Sequence, residues 1–438
     1  MVPVAVLGFK RMHPPSIAAL PAPLARSVRL VARTLERAGR RAWLVGGAVR
    51  DLALGIEPKD ADLATPATPP EIEALFERTY LVGKAFGTVV VRAEGNDLQV
   101  TTFRTEADYR DGRRPGEVRF GTSLEQDAAR RDFTCNALFL DPLTDEFVDP
   151  TGGLADLDAR RLRCVGHPEQ RFSEDGLRLL RLARIAANFG LEIEPETRAA
   201  AGRSLASLRG VSAERVFSEL ERLAAGPSPG RGTALLAELG ILERVLPGLS
   251  ALGSPGEGPN LARRTVAVAE LGPRCLTRRF LGTLCRPAAQ VDLEQATGCL
   301  RALRAPRVTV EAIERTWKLE PELEGCLQQL EGAAPRRSRW VRLVRAEEFA
   351  DTLAVWLAWH PGERVAALEE LQRRASALSS ADRFPELLLN SADLARAGIP
   401  RGPLWSVLLR EAEDLQLDGE LVDRQAASAW LERRASRA

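Results

Sequence analysis

The chain has 438 residues, too many for one compact core, so several domains are expected. Its 61 basic and 60 acidic residues leave a formal net charge of +1, which excludes a globally basic nucleic-acid coat and leaves room only for a local patch. Six cysteines (135, 164, 275, 285, 299 and 326) show no Cys-x-x-Cys pairing and the histidines number three, which argues against a zinc site and excludes a His-rich metal centre.

That cysteine pattern predicts reduced thiols in a cytosolic chain, and no apolar run is long enough to span a bilayer. Lysine occurs only at 10, 59, 84 and 318, so almost every cation is arginine. This reads as a composition bias, although arginine also suits phosphate contacts.

Residues 1–21 read as a loose extension. Ala22 to Arg40 predicts a helix, with Leu24, Val28, Val31 and Leu35 at helical spacing. An apolar strand, Ala42 to Val45, then runs into Gly46 and Gly47. A short helix follows, from near Gly47 to near Gly55, and a second short strand carries Asp60 and Asp62. Residues two apart on a strand share a face, so the two carboxylates converge, as Mg²⁺ with substrate phosphates requires. The glycines let backbone approach a phosphate, and the helix start after them offers free N–H groups and its positive dipole end. Arg50 and Lys59 add positive charge for a triphosphate. Taken alone, Gly-Gly reads as a turn and Asp-x-Asp as a solvated turn; the combination is far more specific.

Thr68-Pro69-Pro70-Glu71 opens a helix. Gly87 to Val91 reads as a buried strand, and Asp97 to Arg104 as an alternating one. Helix and strand alternation of this kind gives an α/β head with one mixed sheet. Residues 105–129 are polar and predict a solvated loop around Asp111, Gly112, Arg113, Arg114 and Pro115. Arg130 to Ala137 suits a helix whose charged end meets a ligand, although Arg-Arg-Asp alone is commonly a salt-bridged surface turn. Asp149 to Gly153, with Asp156 and Leu157, reads as a structural turn closing the head.

Ser173 is placed as the N-cap of a long helix in which Asp175 and Arg178, three apart, are neighbours. On spacing alone that pair is an ordinary surface ion pair. Ser212 caps a further helix, and Gly226 to Gly230 breaks the chain before helices at Ala234 to Leu249. Gly253 to Pro259 predicts a linker. The remainder is helical by pattern, with breaks near 305, 334, 361 and 399. Trp317, Trp340, Trp356, Trp359 and Trp405 are expected in its core.

The segments GGAVRDLALGIEPKDADLAT, RRDFTCNA, DPTGGLADL and RFSEDGLRLLRLARIAANFGLEIEPET, with the helix start VSAERV, resemble the tRNA nucleotidyltransferase and poly(A) polymerase family of bacteria and eukaryotes. The nucleotidyltransferase core of that family is shared with polymerase beta-type enzymes. The resemblance spans roughly residues 42 to 250 and fades beyond. It implies an α/β nucleotidyltransferase head with a polymerase beta-like mixed sheet, followed by an all-α neck, body and tail. The boundaries expected are 22–158, 159–225, 226–335 and 336–438, with tRNA docking on the tail by analogy.

The resemblance also implies template-independent addition of CMP and AMP from CTP and ATP to the 3′ end of tRNA, at its acceptor arm. Two Mg²⁺ ions would be held by Asp60 and Asp62, the catalytic pair, while the RNA 3′-hydroxyl attacks the α-phosphate and pyrophosphate leaves. Gly46, Gly47, Arg50, Arg104, Arg131, Asp132, Asn136, Asp175, Arg178 and Arg181 would bind nucleotide. In that set Asp132 would accept from the ribose 2′-hydroxyl and Arg131 would hold phosphate. Asp175 would accept from the exocyclic amine of C or A, and Arg178 would donate to the ring acceptor beside it.

The segment GKAFGTVVV, with Ala85 and Val91, resembles the CCA-adding branch. Asp111, Gly112, Arg113 and Arg114 match a flexible loop kept by members that add the terminal A. The family usually places an acid where Gln99 stands. Its role is either missing here or taken by Asp97, on the same strand face. Alternatives are an A-adding or CC-adding specialist, a poly(A) polymerase, or an RNA-binding protein with weakened catalysis, the last motivated by Gln99. No His-Asp phosphohydrolase pattern is present.

Overall fold

The computed structural model describes residues 14–81, 87–109, 115–120, 123–252, 261–288, 291–332 and 336–435. The chain divides into two compact units, Met1–Thr277 with Gly298–Ala305, and Arg278–Thr297 with Pro306–Ala438.

In the first unit, helix α1 (Ala22–Arg37) buries Leu24, Val28, Val31 and Leu35, the stripe marked by the sequence pattern. Seven strands form one sheet: β1 (Trp43–Val45), β2 (Asp62–Thr65), β3 (Thr79–Leu81), β4 (Thr88–Ala93), β5 (Asn96–Thr102), and, after two strands outside it, β8 (Phe139–Leu140) and β9 (Phe147–Val148). Their order is β3-β4-β5-β2-β1-β8-β9. β2 and β5 run parallel and the other neighbours antiparallel, so the sheet is mixed as expected. Trp43 and Val45, two apart and hence on one face, join Ala64, Phe103, Leu124, Phe139 and Val165 in a buried cluster. α1 packs against β4 and β5.

Helix α2 (Gly47–Ala53) links β1 to β2. Helix α3 (Pro69–Leu75) starts with a capping box in which the Thr68 amide donates to Glu71 Oε2 at 2.7 Å. The expected loop over 105–129 is instead a β-hairpin followed by a helix. β6 (Arg104–Tyr109) pairs antiparallel with β7 (Pro115–Phe120), and α4 (Leu124–Ala129) comes next. A polar segment can satisfy its backbone groups by pairing with itself, and such pairing leaves little trace in the hydrophobic pattern. Asp111, Gly112, Arg113 and Arg114 lie outside the described residues, as do Ala85 and the expected linker at 253–259.

The turn after β9 has the structural role expected. Asp149 Oδ1 accepts from the Gly153 amide at 2.8 Å and its Oδ2 from the Leu154 amide at 2.9 Å, opening α5 (Gly153–Asp158). Asp156, fully buried, accepts from Thr134 Oγ1 at 2.7 Å and from Arg161 and Arg163. A Cβ on Gly153 would sit 2.1 Å from the Thr134 carbonyl oxygen, so this crossing admits only glycine. Two short strands, β10 (Arg161–Leu162) and β11 (Glu192–Ile193), pair in parallel. The helices that follow are α6 (Pro168–Glu174), α7 (Leu177–Phe189), α8 (Pro195–Arg203), α9 (Ala213–Ala224), α10 (Pro229–Glu238), α11 (Leu242–Val245) and α12 (Leu261–Glu270).

After these come α13 (Thr277–Leu284), α14 (Leu293–Ala302), α15 (Arg307–Gly332), α16 (Arg337–Arg345), α17 (Phe349–Trp359), α18 (Val365–Ala377), α19 (Ser380–Arg383), α20 (Ser391–Arg396), α21 (Pro403–Leu417) and α22 (Arg424–Ala435). The breaks expected near 305, 361 and 399 fall between helices; the one near 334 lies outside the described residues. Within the second unit, Leu323, Leu327, Trp340, Val341, Trp356, Leu368 and Leu417 share one core. Trp317, Trp340, Trp356 and Trp359 are buried as expected, and Trp405 is half-buried. All six cysteines are free thiols, and no helix among the described residues is long and apolar enough to cross a membrane.

Gly153→Ala is expected to cost about 1–3 kcal/mol, the range for overpacking a filled site. Urea denaturation against the wild type measures it.

Candidate active site

The register of the sheet builds the acidic corner. Val45, the last residue of β1, pairs with Asp62, the first of β2, and Asp62 pairs on its other side with Gln99 of β5. The chain leaving β1 therefore turns directly beside Asp62. Gly46 makes that turn at φ +70°, and a Cβ there would lie 3.2 Å from Arg131 Nη1. α2 begins at Gly47, where the first N–H groups of a helix lack intrahelical partners, and Gly46 and Gly47 line the cavity that the acids line. Asp60 is not on the strand expected to carry both acids, because β2 starts at Asp62, yet the two carboxylates face the same cavity.

Asp62 is open to that cavity yet enclosed by it on its other sides. The enclosure first, and the nearby Asp60 charge second, push its carboxyl up to about 6 against the pull of Arg131. Two crowded, hard oxygen donors whose negative charge is uncompensated form a donor set that fits Mg²⁺. Among the described residues no third acid, histidine or cysteine completes a cluster with them. Gln99 lines the cavity beside them, while Asp97 is exposed and takes Arg92 Nη1 at 2.9 Å. Asp97 thus does not take over the missing acid's place.

Arg130 to Ala137 is not the helix expected. α4 ends at Ala129, and the chain turns through Arg130 to Asp132 into a short 3₁₀ segment, Thr134–Asn136. Asp132 drives the turn, because its Oδ1 accepts from its neighbour's amide, Phe133 N, at 2.8 Å and from Asn136 Nδ2 at 3.0 Å. Its Oδ2 takes Arg181 Nε at 2.8 Å and Nη2 at 2.6 Å. Four donors fill the acceptor capacity of a carboxylate, so Asp132 is not open to a ribose 2′-hydroxyl. Burial would raise its pKa, but the Arg181 guanidinium, the Asn136 amide and Arg178 outweigh it and hold the group far below the usual carboxylate range. Asn136 Oδ1 in turn accepts from Arg50 Nη1 at 2.7 Å. Arg50 also pairs with Asp51 and lies 4.0 Å over the Phe189 ring. Arg131 is oriented by Asp127 Oδ2 at 2.8 Å and by the Asn136 carbonyl at 3.2 Å.

The long helix expected from Ser173 is two helices. α6 ends at Glu174, Asp175 is extended (φ −150°, ψ 103°), and α7 starts at Leu177. Ser173 lies inside α6 and donates to the Gln170 carbonyl, so it is no N-cap. Asp175 and Arg178 are not an ion pair. Arg178, buried, donates through Nη1 to Glu174 Oε2 at 2.6 Å and to the Arg171 carbonyl at 2.8 Å, and through Nη2 to the Arg130 carbonyl at 3.0 Å. Asp175 Oδ1 accepts from the Leu177 amide at 3.0 Å, and its Oδ2 from Arg215 Nη2 at 2.7 Å.

All twelve residues predicted to hold metal or nucleotide line one cavity of about 920 Å³, whereas Lys59 does not. The same wall includes Arg130, Glu174, Arg184, Arg215 and Arg222, which the sequence reading did not select. The signal was there: Arg178, Arg181 and Arg184 recur every three residues along α7, and Arg215, Glu219 and Arg222 share a face of α9. Buried Glu219 anchors this set, taking Arg184 Nε at 2.6 Å and Arg222 Nη1 at 3.2 Å. Nine arginines face five acids around the cavity, an excess of positive charge suited to a triphosphate.

Residues 42–163 match the family model described as the poly A polymerase head domain, and residues 190–252 the one described as the "probable RNA and SrmB-binding site of polymerase A". The CCA-adding enzyme of Geobacillus thermodenitrificans is 36% identical over 410 residues, covering 92% of this chain and 96% of that protein. That of Levilactobacillus brevis is 32% identical over 418 residues, covering 91% and 95%. The chain belongs to the CCA-adding enzyme family. It is a nucleotidyltransferase. The crystal structure of the Bacillus stearothermophilus CCA-adding enzyme in complex with CTP aligns with a TM-score of 0.76 at 30% identity, over 95% of this chain and 99% of that one. This agreement extends through the helical half, where the motif resemblance in the sequence fades.

For this CCA-adding enzyme family member, Asp132→Asn is expected to lower stability at pH 7 by about 2 kcal/mol, because it replaces the close carboxylate partner of Arg181 by an amide and leaves only Glu219, 4.0 Å away. A carboxyl with a depressed folded-state pKa stabilises the fold above its unfolded value of about 4, and that contribution fades as the pH falls below it. The gap between wild type and variant should therefore narrow in urea titrations as the pH is lowered from about 5 toward 2.

Proposed function

We propose that the protein adds CMP and AMP, from CTP and ATP and without a template, to the 3′ end of tRNA. The observation that carries this is the single cavity in which the acid pair, the Gly46-Gly47 turn, the arginine wall and the Asp175–Arg178 turn meet. The CTP complex of the Bacillus stearothermophilus relative supports the nucleotide class. Family membership supports the acceptor, the 3′ end of the tRNA acceptor arm. Six free cysteines suit a reducing, cytosolic setting.

Asp60 and Asp62 are the residues that would hold Mg²⁺. When bound, a pair of such ions lowers the pKa of the attacking hydroxyl and neutralises charge on the leaving pyrophosphate. The Gly46-Gly47 turn and the start of α2 offer N–H groups to the triphosphate. Arg50, Arg104, Arg131 and Arg181 surround it with guanidinium forks, which match phosphate oxygens. Asp132 and Asn136 act one step back. They fix Arg181 and Arg50 before any nucleotide arrives, so that little reorganisation accompanies the reaction. Asp175, with two acceptor positions unused, would take the exocyclic amine of C or A. Arg178, clamped by Glu174 and two carbonyls, would present its edge to the adjacent ring acceptor. U and G carry a carbonyl at the amine position and are rejected by the carboxylate. In this reading the head, neck, body and tail span 22–158, 159–225, 226–335 and 336–438.

The test is incorporation of labelled CTP and ATP onto tRNAs lacking CCA, ending in C, and ending in CC. Growth of all three to CCA followed by a stop is expected. Extension of the CC-ended tRNA alone by ATP would make it an A-adding specialist, and long A tails on unrelated RNA a poly(A) polymerase. Asp62→Ala should abolish incorporation while tRNA still binds in a filter assay. Loss of binding together with activity would sink the catalytic assignment of Asp62.

A further inference from the structure

The Asp175 carboxylate is held from two sides. The Leu177 amide donates to Oδ1 from the start of its own helix, and Arg215 Nη2 donates to Oδ2 across from α9 at 2.7 Å. The pair joins residues 40 positions apart, on two helices that share the cavity wall. The side chain of Arg215 is 42% exposed, and an ion pair this open contributes little to folding. Its effect has to be sought in what it orients. A carboxylate on an extended residue between two helices can exchange among staggered χ1 wells and turn about a broad χ2 unless something fixes it. The Leu177 amide fixes one oxygen, and only the Arg215 guanidinium fixes the second among its described partners.

We infer that Arg215 is a positioning residue for nucleobase selection: it locks the Asp175 carboxylate so that its remaining acceptor positions meet the exocyclic amine of C or A. This rests on the base-reading role proposed above for Asp175. Arg215 does not touch the base, and its contribution is the difference between an acceptor held in place and one that swings. A swinging carboxylate can withdraw from the carbonyl of U or G, so the penalty that excludes those bases falls. Correct incorporation suffers less, because the cytosine or adenine amine can itself recapture the carboxylate.

The experiment measures kcat/KM for CTP against UTP, and for ATP against GTP, on tRNAs ending in C and in CC. Wild type, Arg215→Ala, Arg215→Lys, Asp175→Ala and Glu214→Ala are compared. Glu214 precedes Arg215 on α9, pairs with Arg304 far along the chain and does not line the cavity, so it serves as the control for the helix itself. Arg215→Ala is expected to lower both discrimination ratios by roughly 10- to 100-fold, the scale of a misplaced contact, with Arg215→Lys restoring most of the loss. Glu214→Ala should leave the ratios unchanged. If Asp175→Ala relaxes selection and Arg215→Ala does not, the inference about Arg215 falls and the base-reading role stands. If neither variant relaxes selection, the base-reading role falls as well. A KM raised equally for all four nucleotides in Arg215→Ala would make it a phosphate contact and overturn the positioning role. Should the alanine variant melt early, Arg215→Met, which keeps most of the aliphatic stem without the charge, gives the same comparison.

Discussion

The ion pair between buried Asp132 and half-buried Arg181 is the constraint on which the site depends. Asp132 belongs to the turn after α4, against the sheet, and Arg181 to α7, in the helical part of the same unit. Together with the Arg178 bond to the Arg130 carbonyl, that pair sets the cationic face of α7 against the acidic corner at Asp60 and Asp62. The link extends outward from it. Asn136 shares the Asp132 carboxylate and passes the orientation to Arg50, which lies over Phe189 at the far end of α7. One carboxylate thus registers both ends of a helix on the sheet. Asp132 is the buried member of the pair, and a buried carboxylate without its partner is costly, which favours this alignment of the two elements.

Most of the arginines around the cavity are already engaged with protein acceptors. Asp127 orients Arg130 and Arg131, Glu174 holds Arg178, and Glu219 holds Arg184 and Arg222. Each guanidinium has five donors in a fixed fork, so one edge can be anchored while another faces the cavity. These acids fix the position of the positive charge rather than cancel it. Electrostatic stabilisation of a developing charge is strongest when the donors need not move to provide it.

How much of this was legible in the sequence follows from how local each signal is. Strand, Gly-Gly, helix and Asp-x-Asp lie within a short stretch of chain, and the register of β1 with β2 brings them together, although only Asp62 of the two acids sits on the strand. Arg104 to Phe120 concealed a hairpin, because ladder pairing of polar residues produces no apolar alternation. The break at Asp175 was concealed for the opposite reason. Leu179, Leu182 and Ala186 set the helical periodicity beyond the break, and the pattern before it does not separate Glu174 from the helix that follows. The engagement of Asp132 by Arg181, 49 positions away, and of Asp175 by Arg215 could not be seen at all, since a long-range partner leaves no mark beside the residue it serves. Spacing alone gave Asp175 and Arg178 to each other; the fold gives each a different partner.

The cavity wall described above contains nine arginines, and among the described residues no lysine. Guanidinium groups stay protonated across the range in which proteins operate, and they are not substrates for lysine acylation. The positive charge offered to nucleotide and RNA phosphates is therefore a constant of the molecule. A cell cannot tune it by acetylation or by modest alkalinity. The levers left are ionic strength and competing polyanions, pyrophosphate among them, which makes this surface a sensor of its anionic surroundings rather than of its own modification state.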